Sequence, residues 1–206
     1  MEYSFYLPNK DGTEYQGRLN NNSLIIIGAN GSGKSHLGAW IENRDINQTH
    51  RISAQRLLTF GDYIQQKGYE QSTNLLIYGK DKPEQNHNGR WTWDGTKYNY
   101  TSSLLNDYEY VLSALLAKRS LQYEKYIKEC KELEQQGKSH NNVPEMITDK
   151  LIRIWKNIFP HRDISISDGK VTAIIRKDGE EIEYKGRDMS DGESSSLSYC
   201  TSVICS

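Results

Sequence analysis

The sequence predicts an α/β fold organised around one strand–loop–helix unit. Three observations predict it. The stretch "LIIIGANGSGKSHLGAW" (residues 24–40) runs from a continuous apolar segment through a glycine-rich turn into apolar residues at helical spacing. Two strand-like runs precede it, and a long segment with apolar residues at threes and fours follows it. Beyond residue 160 the period switches to that of short strands, and the chain closes on a helix start.

The elements follow in order. Runs at 3–7 and 13–19 read as strands, separated from each other by "NKDG" and from the next run by "NNNS", both good turn chemistry. The run 24–27 is apolar throughout, as expected of a strand covered on both faces in a parallel sheet. Leu37, Trp40 and Ile41 then carry a helix over 36–43. A strand is expected near 50–54, followed by a helical or irregular segment. Residues 75–100 are loop-like in composition, and within them "RWTWDGTKYNY" predicts a hairpin turning at Asp94-Gly95. Trp91 and Trp93 share one face of it, expected to pack on the domain, with a base-stacking platform as the alternative.

The longest helical signal spans 101–136, with Leu104, Leu105, Tyr108, Leu112, Leu115, Leu116, Tyr123, Tyr126, Ile127, Cys130 and Leu133 in phase. Its later half, "YEKYIKECKELEQQ", is rich in charge and is expected to project half-exposed. Pro144 suits the first turn of a further helix reaching Ile158, so residues 101–160 read as a helical insertion within a single domain. "RDISISDGKVTAIIRKDGEEIEYKG" predicts three short strands turning at Asp168-Gly169 and Asp178-Gly179.

Composition bounds the function. With 206 residues the chain suits one domain, and a mean hydropathy of −0.79 makes it polar for a folded protein. A net charge of −1 supplies no global basic field for nucleic acid or anionic membrane. No apolar run approaches a membrane span, and "MEYSFYLPNKDG" lacks the basic flank and apolar core of a signal peptide. Cys130, Cys200 and Cys205 are too few and too unevenly spaced for a disulfide framework or a zinc site. Reduced thiols in a cytoplasmic protein are the expectation.

Residues 28–35, "GANGSGKS", match G-x-x-x-x-G-K-[ST] in full. Each residue type has a physical reason. Gly28, Gly31 and Gly33 let the backbone fold closely around phosphate oxygens. The N–H groups of Asn30, Gly31, Ser32 and Gly33, with the following helix N-terminus, supply partial positive charge. Lys34 can reach the β- and γ-phosphates, and the Ser35 hydroxyl can ligate Mg²⁺. A chain of this length meets the pattern by chance on the order of once in a hundred. The expectation is a P-loop NTPase fold that binds ATP with Mg²⁺.

A second motif narrows the class. Residues 189–193, "MSDGE", resemble the signature of ABC-type ATPases, usually L-S-G-G-Q, or x-S-G-G-E in the chromosome-maintenance branch. Ser190 and Gly192 match, whereas Asp191 stands where a glycine is usual; a turn and helix N-cap explain the same letters. The motif lies 155 residues after Ser35, beyond a helical insertion and a β-rich stretch, as in ABC-type heads. "GANGSGKS" and a leading antiparallel strand pair resemble the same branch. "HRISAQR", "KLIRIWKNIFPHRDISISDGKV" and "MSDGE" together resemble the PtuA-like, AAA-class ABC ATPases of bacterial antiphage systems, Septu and certain retrons.

That resemblance implies that Ser190 and Gly192 face the γ-phosphate held by a second subunit, giving a head-to-head homodimer through ATP-sandwich faces. It implies Gln55 as the residue reaching the metal and the attacking water, flanked by Arg51 and Arg56. It also implies a partner HNH nuclease (PtuB-like), and in retrons a reverse transcriptase with its DNA–RNA product. A hydrolytic ABC site further needs a Walker B strand, four apolar residues and then Asp-Glu. The chain ends 13 residues after Glu193, before that strand is expected, and "NLLIYGKD" (74–81) has glycine and lysine where Asp-Glu should begin. The expectation is the N-terminal part of an ABC-type ATPase, binding ATP weakly when alone and turning it over negligibly.

Three other readings compete. A small-molecule P-loop kinase predicts an arginine-rich lid, for which Arg51, Arg56, Arg90 and Arg119 are available without an evident cluster. A DNA-repair or chromosome-maintenance head predicts salt-sensitive duplex binding strengthened by ATP. A scaffold would use nucleotide only for stability.

Overall fold

The structure, a computed structural model, describes residues 3–19, 23–44, 49–52, 61–85, 90, 107–140, 142–177 and 179–205. It is mixed α/β, with two small antiparallel sheets and five α-helices among those residues. The N-terminal half begins with a hairpin of β1 (Tyr3–Pro8) and β2 (Glu14–Leu19), in which Phe5 faces Gly17. Gly17 is buried beneath the Phe5 ring, and a Cβ there would sit 2.1 Å from a ring carbon. Helix α1 (Lys34–Arg44) lies against β1. Arg44 fixes it there, clasping the Glu14 carboxylate at 2.9–3.0 Å and covering the Tyr6 ring at 3.6 Å.

The remaining elements build the core. Helix α2 (Tyr69–Tyr78) packs along the first half of α3 (Tyr108–Gln135), and α4 (Ile147–Ile158) packs on α3, on α5 (Asp191–Cys205) and on β3 (Arg162–Ser167). Strands β3, β4 (Lys170–Lys177) and β5 (Glu180–Lys185) form a meander. Its first turn needs Asp168 and Gly169 at φ of 51° and 68°, the left-handed region that an Asp-Gly pair tolerates. One apolar cluster joins Leu112, Leu115 and Leu116 of α3, Leu151 and Trp155 of α4, Ile164 and Ile166 of β3, Val171 and Ala173 of β4, and Leu197 of α5. Among the described residues, none before Ile64 belongs to it.

Several expectations need correction. Residues 24–27 form no strand: they join neither sheet, and Ile25 and Ile27 are 81% and 91% exposed. The parallel sheet that would cover them is absent among the described residues. Of the strand expected near 50–54, residues 50–52 are not in a strand, and 53 and 54 lie outside the described residues. Helix α1 buries Ala39 and Glu42 rather than Leu37, Trp40 and Ile41, which are half-buried. Helix α2 begins before the stretch expected to be loop-like (75–100) and runs four residues into it, taking "NLLIY" as helix with Leu75 and Leu76 in the interior. Helix α4 starts at Ile147, three residues after Pro144, because the Asp149 carboxylate accepts the Met146 N–H at 2.9 Å and Gln122 of α3 accepts the Ile147 N–H at 2.8 Å. Helix α3 stays buried only as far as Ala117; Tyr123 and Ile127 are exposed on its projecting half, as the charged sequence there predicts. The tryptophan hairpin, Gln55, Arg56, Leu104 and Leu105 lie outside the described residues.

Candidate phosphate-binding loop

The loop between residues 27 and 34 is shaped by its glycines. Gly31 and Gly33 stand at φ of 81° and 88°, where a side chain would be strained. Gly28 serves by close approach instead: a Cβ there would meet the Ser32 hydroxyl oxygen at 2.6 Å. The Ser32 N–H donates to the Ala29 carbonyl at 3.2 Å and closes the turn. The Leu37 N–H then donates to the Gly33 carbonyl at 2.9 Å, so helical pairing begins within the loop and Lys34 and Ser35 occupy the first turn of α1.

Lys34 folds back over this loop. Its ammonium donates to the carbonyls of Gly28 and Ala29, each at 2.7 Å. The charge is thus held at the loop's mouth beside the first-turn amides of α1, which have no helical acceptor. Residues 28–36 are all exposed, so the cradle opens directly to solvent. Its chemistry is that of an anion site: a lysine cation, a helix N-terminus and a hydroxyl. These groups fit a triphosphate, with Ser35 as the hydroxyl that would hold Mg²⁺. Among the described residues no cluster of three or more His, Cys, Asp or Glu is placed to hold a metal ion.

Ser190 and Gly192 stand apart from this loop. Helix α1 packs on β1, whereas α5 packs on α3 and α4. Ser190 caps α5: its hydroxyl and its N–H donate to the Glu193 carboxylate at 2.7 and 2.9 Å. Glu193 is buried and also accepts from the Tyr184 hydroxyl and from Arg162, which pair with it closely. Burial pushes its carboxyl up, but the Tyr184 hydroxyl, the Arg162 guanidinium and Ser190 outweigh burial and hold it at about 2. The Ser190 hydroxyl is therefore engaged inside its own chain. Gly192 lies exposed in the first turn with open space where a side chain would be.

The three described arginines available for a lid, Arg51, Arg90 and Arg119, are otherwise employed. Arg90 is fully buried and donates to Glu42 at 3.0 Å, to Asp107 at 2.9 Å and to the Arg51 carbonyl at 2.9 Å. Arg51 donates to the same Glu42 at 2.8 Å, and Arg119 donates to the Ile166 carbonyl at 2.7 Å. Arg51 and Arg90 do cluster, but in the interior and on a carboxylate. Nothing in the sequence marks Glu42, a glutamate among helix formers, as the centre of a buried ion network.

No family model, no curated protein and no solved structure matches this chain. Among the described residues, no helix is long and apolar enough to cross a membrane.

Proposed function

We propose that this chain binds ATP with Mg²⁺ at residues 28–35 as the nucleotide-binding part of an ABC-type ATPase with the P-loop NTPase fold. The observation that carries the reading is the loop itself: Gly31 and Gly33 in left-handed backbone, and Lys34 folded over the Gly28 and Ala29 carbonyls at the head of α1. Asn30, Gly31, Ser32 and Gly33 wrap the phosphates with their amides. Lys34 leaves its two carbonyls to neutralise the terminal phosphates, and Ser35 offers its hydroxyl to the metal. Magnesium, held there through Ser35, would supply positive charge that offsets that of the phosphates.

The larger assignment rests on the motif resemblance. In it, two copies meet head to head, with Gly192 and the α5 N-terminus of each closing on the triphosphate of the other. The pair acts in antiphage defence, its ATP-dependent closure regulating an HNH nuclease and, in a retron setting, a reverse transcriptase complex. Gln55 would complete the metal and water contacts.

Equilibrium binding of a fluorescent ATP analogue with Mg²⁺ tests the core of this reading. Lys34→Ala is expected to weaken binding about tenfold or more, the loss of roughly 1.4 kcal/mol. Equal affinity in the variant, or none in the parent, overturns it. Steady-state turnover by the chain alone is expected to be negligible; turnover near about one per second that Lys34→Ala abolishes would show a complete hydrolytic site.

A further inference from the structure

Among the described residues, the two halves of the molecule share little fully buried apolar surface. Every described residue of the main core lies at or beyond Ile64, and α1 contributes only Ala39 and Glu42 as fully covered side chains. Among the described residues, the fully buried contacts that α1 makes beyond the hairpin centre on an ion network. Glu42 near its C-terminal end holds Arg90, which in turn holds Asp107 at the residue preceding α3, and Arg51 closes on Glu42 from the side. The Arg90 and Asp107 side chains are fully buried, and Glu42 is nearly so.

We infer that this Glu42–Arg90–Asp107 network couples the phosphate-binding loop to the N-terminal turns of α3, with Arg90 as the positioning residue between them. Three physical points support it. Helix α1 is a stiff connector: Lys34 and Glu42 are eight residues apart, about 12 Å along one rod, so tilting its head moves its tail. The hydrogen bonds within these pairs are directional and short-ranged, and breaking a buried pair is costly, so a shift of α1 favours movement of Arg90 with it. The network also holds slack, since Arg90 Nε and Asp107 Oδ1 are buried without a hydrogen-bond partner. A second arrangement that pairs those atoms would offset part of the cost of the pairs a shift breaks, as a two-state element requires.

The inference rests on the nucleotide reading only in one arm of its test. In that arm, amide hydrogen exchange is followed by mass spectrometry with and without the Mg²⁺ complex of a non-hydrolysable ATP analogue. Bound nucleotide is expected to change exchange in the first turns of α3 by at least about fivefold, the lower end of coupling between sites. Glu42→Gln keeps the shape of the side chain and leaves Arg90 paired with Asp107. It is expected to bind the analogue within about threefold of the parent, since Glu42 is remote from the loop, yet to lose the α3 response.

In the second arm Gly33→Ala strains the loop directly, whatever it binds. Faster exchange in α1 is expected to extend into the start of α3 in the parent background and to stop at α1 in the Glu42→Gln background. Exchange in α4 serves as the control that the core is folded in each variant; Arg90→Lys replaces Glu42→Gln if that control fails. An α3 response that survives loss of the network in either arm overturns the coupling. Absence of nucleotide binding by the parent overturns the nucleotide reading alone, and the strain arm then decides.

Discussion

The two halves of this molecule treat apolar side chains in opposite ways. Around α3 and α4, Leu112, Leu115, Leu151 and Leu197 are wholly excluded from water. In the N-terminal half, the four consecutive residues Leu24, Ile25, Ile26 and Ile27 are 43%, 81%, 44% and 91% exposed. Each buried leucine or isoleucine contributes about 1.5–3 kcal/mol. One half therefore holds its own structure together by burial, while among the described residues the other is a hairpin and a helix held by Arg44, by Phe5 over Gly17 and by a buried arginine. The phosphate loop sits in the half with the smaller core. Elements that must respond to a ligand come from the less stable end of a structure.

The largest expected effect lies in the C-terminal half. Leu151→Ala empties a site with no exposure between α3, α4 and the meander, and should cost about 2–5 kcal/mol. Urea denaturation followed by far-ultraviolet circular dichroism checks it. A cost below about 1 kcal/mol, as at a surface position, would show that the core is looser than its burial indicates and would erase the contrast between the halves.

A second effect sharpens the comparison by pH. The folded protein holds Glu193 at about 2, below its ordinary value of 4.5, so the unfolded chain takes up this proton first as pH falls. The stability Glu193 contributes is whole above about pH 4.5 and is lost as pH drops through 2, amounting to about 3 kcal/mol. Glu193→Gln is expected to be less stable at pH 7 and to lose that acid-dependent component. Denaturant midpoints measured at pH 7, 4.5 and 3 check the slope. An unchanged slope in the variant would mean that the Arg162–Tyr184–Ser190 cluster does not hold a carboxylate in solution.

The same contrast explains what the sequence made legible. The meander was readable because Asp168-Gly169 and the alternation of Ile164 and Ile166 act locally, through turn chemistry and a period of two. The phosphate loop was readable because each glycine meets a local steric demand. Helix α2 was not, since Ser72, Asn74, Leu75 and Leu76 are buried by α3, a partner far along the chain, and the glycine and lysine after Tyr78 suggest a loop. Glu42, Arg90 and Asp107 are separated by 48 and 17 positions, and no local pattern announces an ion network closed over such distances. Residues 24–27 failed for the opposite reason. Their composition states a need to be covered, and composition cannot say what covers them.

The smallest effect is expected at that run, and it is the most diagnostic. Ile25 and Ile27 already face water, so Ile25→Thr and Ile27→Thr remove little burial; threonine keeps the β-branch and hence the local backbone preference. The stability of the chain should stay within about 0.5 kcal/mol of the parent for each change, the range of ordinary surface positions. Self-association should fall in the double variant, because an unpaired apolar run is a site for edge-to-edge pairing. Denaturation midpoints and light scattering as a function of concentration read the two quantities separately. A loss above about 1.5 kcal/mol would place these side chains in an interior, as a strand covered on its faces, and the N-terminal half would then have a core of its own.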